Sequence, residues 1–167
     1  MQTHNVTIPV SPKAIQGLKI MDKVLLTGVI FTARDTAHKR LCALIEEGAE
    51  LPLELAESVI YYCGPSPTPP GEICGAIGPT TSQRMDKYTP QLIQNGLRVM
   101  IGKGERSAEV LESIHLHEAV YLVTIGGAAA LLAQHVVACE LFYWEELGAE
   151  AIYRLEVKDL PCYVAAL

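Results

Sequence analysis

The chain has 167 residues, half of them hydrophobic, and a formal net charge of −6. Such a chain buries a substantial core, so we exclude a disordered protein and expect one domain spanning residues 1–167. The negative charge and the scattered basic residues argue against nucleic-acid binding. No apolar run reaches the roughly 18 residues of a membrane-spanning helix, so we expect no membrane partner.

The five cysteines are widely spaced and form no CxxC pair. The first ten residues lack the basic and then apolar pattern of a secretory signal peptide. We therefore expect a cytoplasmic protein with reduced thiols and no metal-ligating residues of its own. The cysteines are Cys42, Cys63, Cys74, Cys139 and Cys162.

Along the chain, residues 1–15 contain Pro9 and Pro12, and we expect an extended arm that either wraps a partner or is frayed. Hydrophobic patterning then predicts strands alternating with helices. The predicted strands are 23–33, 58–63, 97–102, 119–125, 135–143 and 151–166. The predicted helices are 34–47, Thr80 or Thr81 to about Gln94, 105–113 and, after a tight turn, the end of 126–134. A proline-rich exposed loop is expected at 64–71.

This order of elements predicts an α/β fold. The last third adds strands without intervening helices, so a mixed sheet is expected rather than a purely parallel one. Three short segments then place cations or hydroxyl groups at strand ends, where open α/β sheets bind their ligands.

The first of these segments is TARDTAHK, residues 32–39, at a strand-to-helix junction. Arg34 offers a planar fork that matches a carboxylate, and His38 lies one helical turn later on the same face. Pairing of Arg34 with Asp35 or with solvent, and a solvent-facing His38, stay open as the alternative.

The second segment is GPTTSQRMD, residues 78–86, in which a turn precedes two threonines, a serine and Arg84. A helix that begins there would leave backbone N–H groups free to bind an anion, with Thr80, Thr81 and Arg84 beside it. The simpler interpretation is a threonine cap.

The third segment is GKGE, residues 102–105, in which flanking glycines let the backbone of Lys103 approach a ligand. A surface turn with a solvated lysine is the alternative. Gly126 and Gly127 precede an alanine run and suggest either close packing or a plain turn.

Together, FTARDTAHK, GPTTSQRMD, IGKG and GGAAAL occur in the order found in the β subunit of class I fumarases and tartrate dehydratases. The same module forms the C-terminal part of single-chain class I fumarases. The closing EAIYRLEVKDLP also resembles the end of that family, and the similarity extends from about residue 16 to the C terminus.

This resemblance implies a swivelling β/β/α domain and an active site formed between it and an α subunit. In the family, three cysteines of the α module bind a [4Fe–4S] cluster, so the cluster would belong to the partner rather than to this chain. We expect an assembly of the size of a heterotetramer or larger.

The resemblance also implies site residues. Arg34, Arg84 and Lys103 match the dicarboxylate-binding residues of the family, with Thr80 and Thr81 beside them, and Thr80 is a candidate catalytic residue. Gln83 stands where a small residue, often glycine, is expected.

The implied function is that of an iron–sulfur hydro-lyase subunit that hydrates fumarate to malate reversibly. The alternative within the family is the β subunit of L(+)-tartrate dehydratase. A stand-alone dicarboxylate-binding module is the alternative from another class, and a purely structural protein is the third.

Overall fold

The computed structural model describes residues 1–125 and 127–167. Gly126 lies outside the described residues. The strands are β1 (Thr3–Thr7), β2 (Lys23–Thr32), β3 (Val59–Tyr61), β4 (Val99–Gly102), β5 (Val120–Val123), β6 (Val136–Tyr143) and β7 (Ile152–Ala166). The α-helices are α1 (Pro12–Gln16), α2 (Asp35–Glu46), α3 (Thr89–Gln94), α4 (Ala108–Leu116) and α5 (Ala129–Ala133). Short 3₁₀ segments lie at Leu55–Glu57, Ser82–Met85 and Glu145–Glu150.

Within the described residues, seven strands form a mixed sheet in the order β1-β2-β3-β4-β5-β7-β6. Strands β1 to β5 pair in parallel with their neighbours, whereas β7 runs antiparallel to β2, β5 and β6. Because β7 pairs with both β5 and β2, the strands β2-β3-β4-β5-β7 close into a five-stranded barrel. The predicted α/β class with a mixed sheet is confirmed.

Two apolar cores follow from the alternation of side chains along the barrel strands. Val59 and Tyr61 point into the barrel, where they pack with alternate residues of the other strands. The intervening Ile60 and Tyr62 point outward into a second core, which α2, α3 and α4 cover. Strands buried on both faces explain why they read as nearly continuous apolar runs.

The six strand predictions are confirmed, with ends that differ by at most two residues. The predicted long helix from Thr80 or Thr81 to Gln94 is wrong, because this stretch is a 3₁₀ segment (Ser82–Met85) followed after a turn by α3. The helix predicted at 105–113 begins later, at Ala108, where Ser107 Oγ accepts a hydrogen bond from the Val110 N–H at 3.3 Å.

Residues 1–15 contribute a strand and a helix start rather than lying free. In β1, Thr3–Thr7 pairs in parallel with residues 23–27 of β2. Ser11 caps α1, with its side chain accepting from the Ala14 N–H at 3.2 Å. Among the described residues, we find no helix with the length and apolar character required to cross a membrane.

The middle of β2 depends on Gly28. Its φ of +134° disfavours any side chain, and a Cβ there would lie 2.9 Å from Ile8 Cβ. The pairing of β2 with β7 also shifts register between Leu26 and Gly28. Glycine at this position lets β2 pair with β1 and β3 along one edge and with β7 along the other.

We predict that Gly28→Ala lowers the free energy of unfolding by about 1–3 kcal/mol, because the added methyl group meets both backbone strain and a steric clash. Urea unfolding followed by circular dichroism measures the loss. Gly17→Ala is the matched control, since φ is −79° there and the nearest atoms to a new Cβ are 3.7 Å away. Equal stability of the two variants would contradict this account of β2.

Candidate active site

The candidate site lies at the edge of the sheet where the parallel strands β2, β3 and β4 end. Beyond β2, the Ala33 N–H donates to the Tyr61 carbonyl at 3.0 Å, and beyond β3 the Tyr62 N–H donates to Ile101 O at 2.8 Å. Arg34 follows β2, Gly64 follows β3 and Lys103 follows β4. The register of the strands therefore brings two of the predicted cation segments to one edge.

Arg34 takes the N-cap position of α2 with extended backbone and is partly buried. Its side chain passes close to Gly64, where an added Cβ would lie 2.9 Å from Arg34 Cδ and 3.1 Å from Arg34 Nη1. Within the described part of the chain, the buried Arg34 Nε has no hydrogen-bond partner. Buried donors are normally paired, so this nitrogen is available to a bound acceptor.

The Thr80–Arg84 segment is fastened to the ends of β3 and β4. The Thr80 N–H donates to Tyr62 O at 2.6 Å, and the Ser82 N–H donates to Lys103 O at 3.0 Å. In return, the Lys103 N–H donates to Ser82 Oγ at 3.0 Å, and Thr81 forms a parallel β-bridge with Lys103. Thr81 and Lys103 therefore lie side by side.

These bonds correct the helix-terminus part of the sequence prediction. The N–H groups of Thr80 and Ser82 are already bonded, and Thr81 precedes a 3₁₀ segment of only four residues without a side-chain cap. An anion at this point would be bound by the side chains rather than by a helix N-terminus.

An ion pair between Arg84 and Asp35 joins the first and second segments. The Arg84 side chain is half exposed, and a recess of about 380 Å³ lies beside it, lined by Asp35, Gln83, Arg84 and Lys87. Asp35 Oδ1 is buried without a partner in the described structure. The predicted alternative, in which Asp35 pairs with Arg34, is not the arrangement observed.

The site as a whole presents more positive than negative charge. Arg84 and Lys103 are exposed, Arg34 is partly buried, and Asp35 is the carboxylate paired among them. Thr80 is partly buried and Thr81 is exposed. Such an edge is suited to an anion with more than one carboxylate.

His38, which was placed on the face of Arg34, is fully buried rather than solvent-facing. Its Nδ1 lies 2.8 Å from the Arg34 carbonyl, which accepts only, so Nδ1 carries the proton and Nε2 is the free acceptor. The ring stands edge-on to Tyr62 at a centroid distance of 5.2 Å. Burial, with the nearby Arg106 charge, lowers the pKa of His38 to about 4, although the bond to Arg34 O opposes this.

Sequence reasoning missed three residues behind the site: Arg106, Tyr121 and Ser82, whose hydroxyl links Tyr121 to the backbone of Lys103. Ser82 Oγ lies 2.7 Å from the Tyr121 hydroxyl, and a Cβ on Gly102 would lie 1.9 Å from Ser82 Oγ. The sequence does place a serine, Ser82, directly after two threonines and an arginine, Arg106, directly after GKGE. Nothing in the sequence, however, shows that Ser82 or Arg106 is buried.

Four of the five cysteines of this chain are buried. Residues 1–125 and 127–167 contain no group of three or more His, Cys, Asp or Glu side chains arranged to hold a metal ion. Burial raises the pKa of Cys63 and of Cys74 to about 12, which disfavours the thiolate that a metal needs.

Comparison with known proteins defines the class to which this fold and site belong. A family model described as "Fumarase C-terminus" matches residues 2–166. The chain therefore belongs to the Fumarase C-terminus family.

Three relatives illustrate the similarity: two fumarate hydratases and one enzyme subunit. The chain is 43% identical over 147 residues to the anaerobic class I fumarate hydratase of Escherichia coli K12, covering 87% of this chain and 27% of the enzyme. It is 39% identical over 159 residues to the mitochondrial fumarate hydratase 1 of Leishmania major, covering 92% and 29%. The chain thus spans less than a third of these enzymes.

The third relative is a protein of Methanocaldococcus jannaschii provisionally named L(+)-tartrate dehydratase subunit beta. The chain is 36% identical to it over 160 residues, which cover 93% of this chain and 82% of the relative. Here the two proteins match over most of their lengths.

We predict that His38 makes stability depend on pH below neutrality. Its pKa is about 4 in the folded chain, against 6.5 when unfolded, so between these values the unfolded state binds more protons and stability falls as pH falls. Lowering the pH from 7 to 5 should reduce the free energy of unfolding of the native chain by about 1–2 kcal/mol more than it reduces that of the His38→Asn variant. Asparagine retains a donor for Arg34 O and does not titrate.

Urea unfolding at a series of pH values provides the measurement. His115→Asn is the control, because His115 is exposed and its replacement should leave the native slope unchanged. Parallel pH profiles for the native chain and His38→Asn would show that the buried imidazole does not carry the effect.

Proposed function

We propose that this chain is the β-type module of an iron–sulfur hydro-lyase that binds a C4 dicarboxylate and serves the reversible hydration of fumarate to malate. The observation that carries the proposal is the meeting of the three motifs at one sheet edge, through the Thr81–Lys103 bridge and the Arg84–Asp35 ion pair. The fumarate hydratases and the tartrate dehydratase subunit among the relatives support the same chemistry.

In this proposal Arg34, Arg84 and Lys103 bind the two carboxylates of the substrate. A dicarboxylate carries two negative charges, and the planar forks of two arginines match carboxylate geometry while the lysine adds a point charge. The unpartnered Arg34 Nε supplies a donor that no described group uses. Arg84 retains N–H groups beyond the one bonded to Asp35.

Thr80 and Thr81 would contact the substrate between these cations, with Thr80 nearest the reacting C–H bond. A threonine hydroxyl is a weak base by itself and needs a carboxylate to receive its proton. Among the hydrogen bonds of the described residues, none joins the Thr80 hydroxyl to a carboxylate. The helper would therefore come from the partner.

That partner is an α subunit carrying the [4Fe–4S] cluster, in a cytoplasmic assembly of a heterotetramer or larger. We further propose that residues 1–167 act as one swivelling β/β/α unit, which would open and close the edge bearing Arg34, Arg84 and Lys103 against the α subunit. In this proposal the cluster belongs to the α subunit, and the contribution of this chain is to bind and orient the substrate.

Substrate choice within the family turns on Gln83, which lines the recess beside Arg84. The M. jannaschii relative keeps L(+)-tartrate dehydration as the second candidate function. Tartrate differs from malate by one hydroxyl, and a polar residue at the recess could bond that hydroxyl.

We predict that Arg84→Ala and Lys103→Ala each lower kcat/KM of the assembled enzyme about 100-fold or more, because each removes a charged partner of a carboxylate. The assembly is made by anaerobic co-expression with the α subunit, and fumarate loss is followed by absorbance. Arg40→Ala is the matched control, since Arg40 is a partly exposed arginine paired instead with Glu146 at 2.5 Å.

Unchanged rates in both site variants would remove these side chains from the substrate site. Turnover by the isolated, iron-free chain would contradict the need for a partner. Tight fumarate binding to the isolated chain in calorimetry would favour the stand-alone module instead.

We predict that the assembled enzyme has a higher kcat/KM for fumarate and malate than for L(+)-tartrate, and that Gln83→Gly changes this ratio at least severalfold. The glycine variant removes the polar side chain beside Arg84 without touching the cations. Steady-state kinetics with each substrate gives the ratio, and Lys39→Ala on the exposed side of α2 serves as control. A native preference for tartrate would assign the second candidate function.

A further inference from the structure

Behind the site lies a fully buried cation, Arg106, that contacts no part of the open recess beside Arg84. Its side chain is 0% exposed. The guanidinium lies between two aromatic rings, 5.1 Å from the centroid of Tyr62 and 4.8 Å from that of Tyr121. A buried charge of this kind is costly unless it is paired and hydrogen-bonded.

All three nitrogens of the guanidinium find partners. Nε donates to Asp86 Oδ1 at 2.7 Å, Nη1 to the Tyr62 hydroxyl at 3.2 Å and Nη2 to Thr89 Oγ1 at 2.8 Å. The second oxygen of Asp86 accepts the N–H of Ser107 at 2.6 Å. Burial acts to lower the pKa of Arg106, but Tyr62 and Asp86 outweigh it and the pKa is raised.

Each of these partners adjoins the segment that carries Thr80 and Arg84 or is hydrogen-bonded to it. Tyr62 accepts the N–H of Thr80 through its carbonyl. Asp86 ends the 3₁₀ segment that contains Arg84. Thr89 begins α3, and its hydroxyl also bonds to Met85 O at 2.9 Å, at the end of the same segment.

The ring above the guanidinium extends this network to Lys103. The Tyr121 hydroxyl lies 2.7 Å from Ser82 Oγ and 2.9 Å from Gly104 O. Ser82 Oγ in turn accepts the N–H of Lys103. The buried Arg106 guanidinium therefore connects through Tyr121 to the Lys103 N–H and the Gly104 carbonyl. Through Tyr62 and Asp86 it connects to both ends of the Thr80–Arg84 turn.

We propose that Arg106 is a positioning residue, which holds the Thr80–Arg84 turn and the Lys103 backbone in the relative placement that binds the dicarboxylate. The substrate named here rests on the proposed function, whereas the hydrogen-bond network around Arg106 does not depend on it. Lysine at this position would keep the charge yet lose the planar fork, so it could not bond Asp86, Tyr62 and Thr89 together.

The test compares Arg106→Lys with Arg98→Lys in the full chain and in its assembly with the α subunit. Arg98 is the control, because its guanidinium is also hydrogen-bonded within the chain, with Nη1 donating to Ile93 O at 2.8 Å and Leu97 O at 3.0 Å, but at the opposite end of β4. We expect Arg106→Lys to raise KM for fumarate roughly 10- to 100-fold, as loss of an orienting partner does, and Arg98→Lys to leave KM unchanged.

Amide hydrogen exchange in the chain alone supplies a readout independent of activity. We expect the Lys103 and Ser82 amides to exchange at least tenfold faster in Arg106→Lys than in Arg98→Lys, at matched global stability. If no assembled enzyme turns over a C4 dicarboxylate, the proposed function fails while this exchange measurement still decides the role of Arg106.

Tyr121→Phe covers the case in which Arg106→Lys does not fold, since it removes only the hydroxyl contacting Ser82 and Gly104. Tyr121→Phe should raise KM less than Arg106→Lys does. Because the two residues belong to one network, the effects of the two substitutions should be non-additive where both variants fold. Native KM and native Lys103 exchange in Arg106→Lys, or in Tyr121→Phe if Arg106→Lys does not fold, would overturn the proposal.

Discussion

The site depends on the parallel pairing of β2, β3 and β4 within a closed barrel. Parallel neighbours place their carboxyl ends together, so residues far apart in the chain, such as Arg34 and Lys103, reach one edge. Closure of the barrel by β7 fixes this arrangement, because β2 is held on both edges and cannot slip by one residue without inverting its two faces. The positions of Arg34 and Lys103 follow from strand register, whereas Arg84 lies in a 3₁₀ segment fastened to the end of β4.

At that edge, the chain leaves polar atoms unpaired that a folded protein would normally satisfy. Among the described residues, Arg34 Nε, Asp35 Oδ1 and His38 Nε2 are buried without partners, all within one turn and a half of α2. Immediately behind them, the Arg106 network satisfies its polar groups closely. The contrast supports the proposed division between a substrate-binding edge at Arg34 and a framework behind it.

Much of the fold and part of the site follow from sequence patterning. Apolar runs predicted six of the seven strands of the described chain, whereas β1 lies in the stretch expected as an extended arm, and cations directly after two strands marked Arg34 and Lys103 as candidates. The 80–94 helix was wrong because Ser82 bonds across to Lys103, and such tertiary contacts override local propensity. Arg106 was missed for a related reason: nothing in GKGER distinguishes a buried arginine from a solvated one. Its burial depends on Tyr62, just after β3, and on Tyr121 of β5.

The Asp35–Arg84 pair explains how an exposed cation can be both held and available. An ion pair with one half-exposed partner contributes little net stability, since solvent competes for both charges. It does, however, limit the rotamers of Arg84 and so reduces the entropy lost when a carboxylate binds. Exclusion of water by a partner would strengthen every charge interaction at this edge. The open edge of the isolated chain therefore has orientation without a low-dielectric environment, and the α subunit would supply the latter.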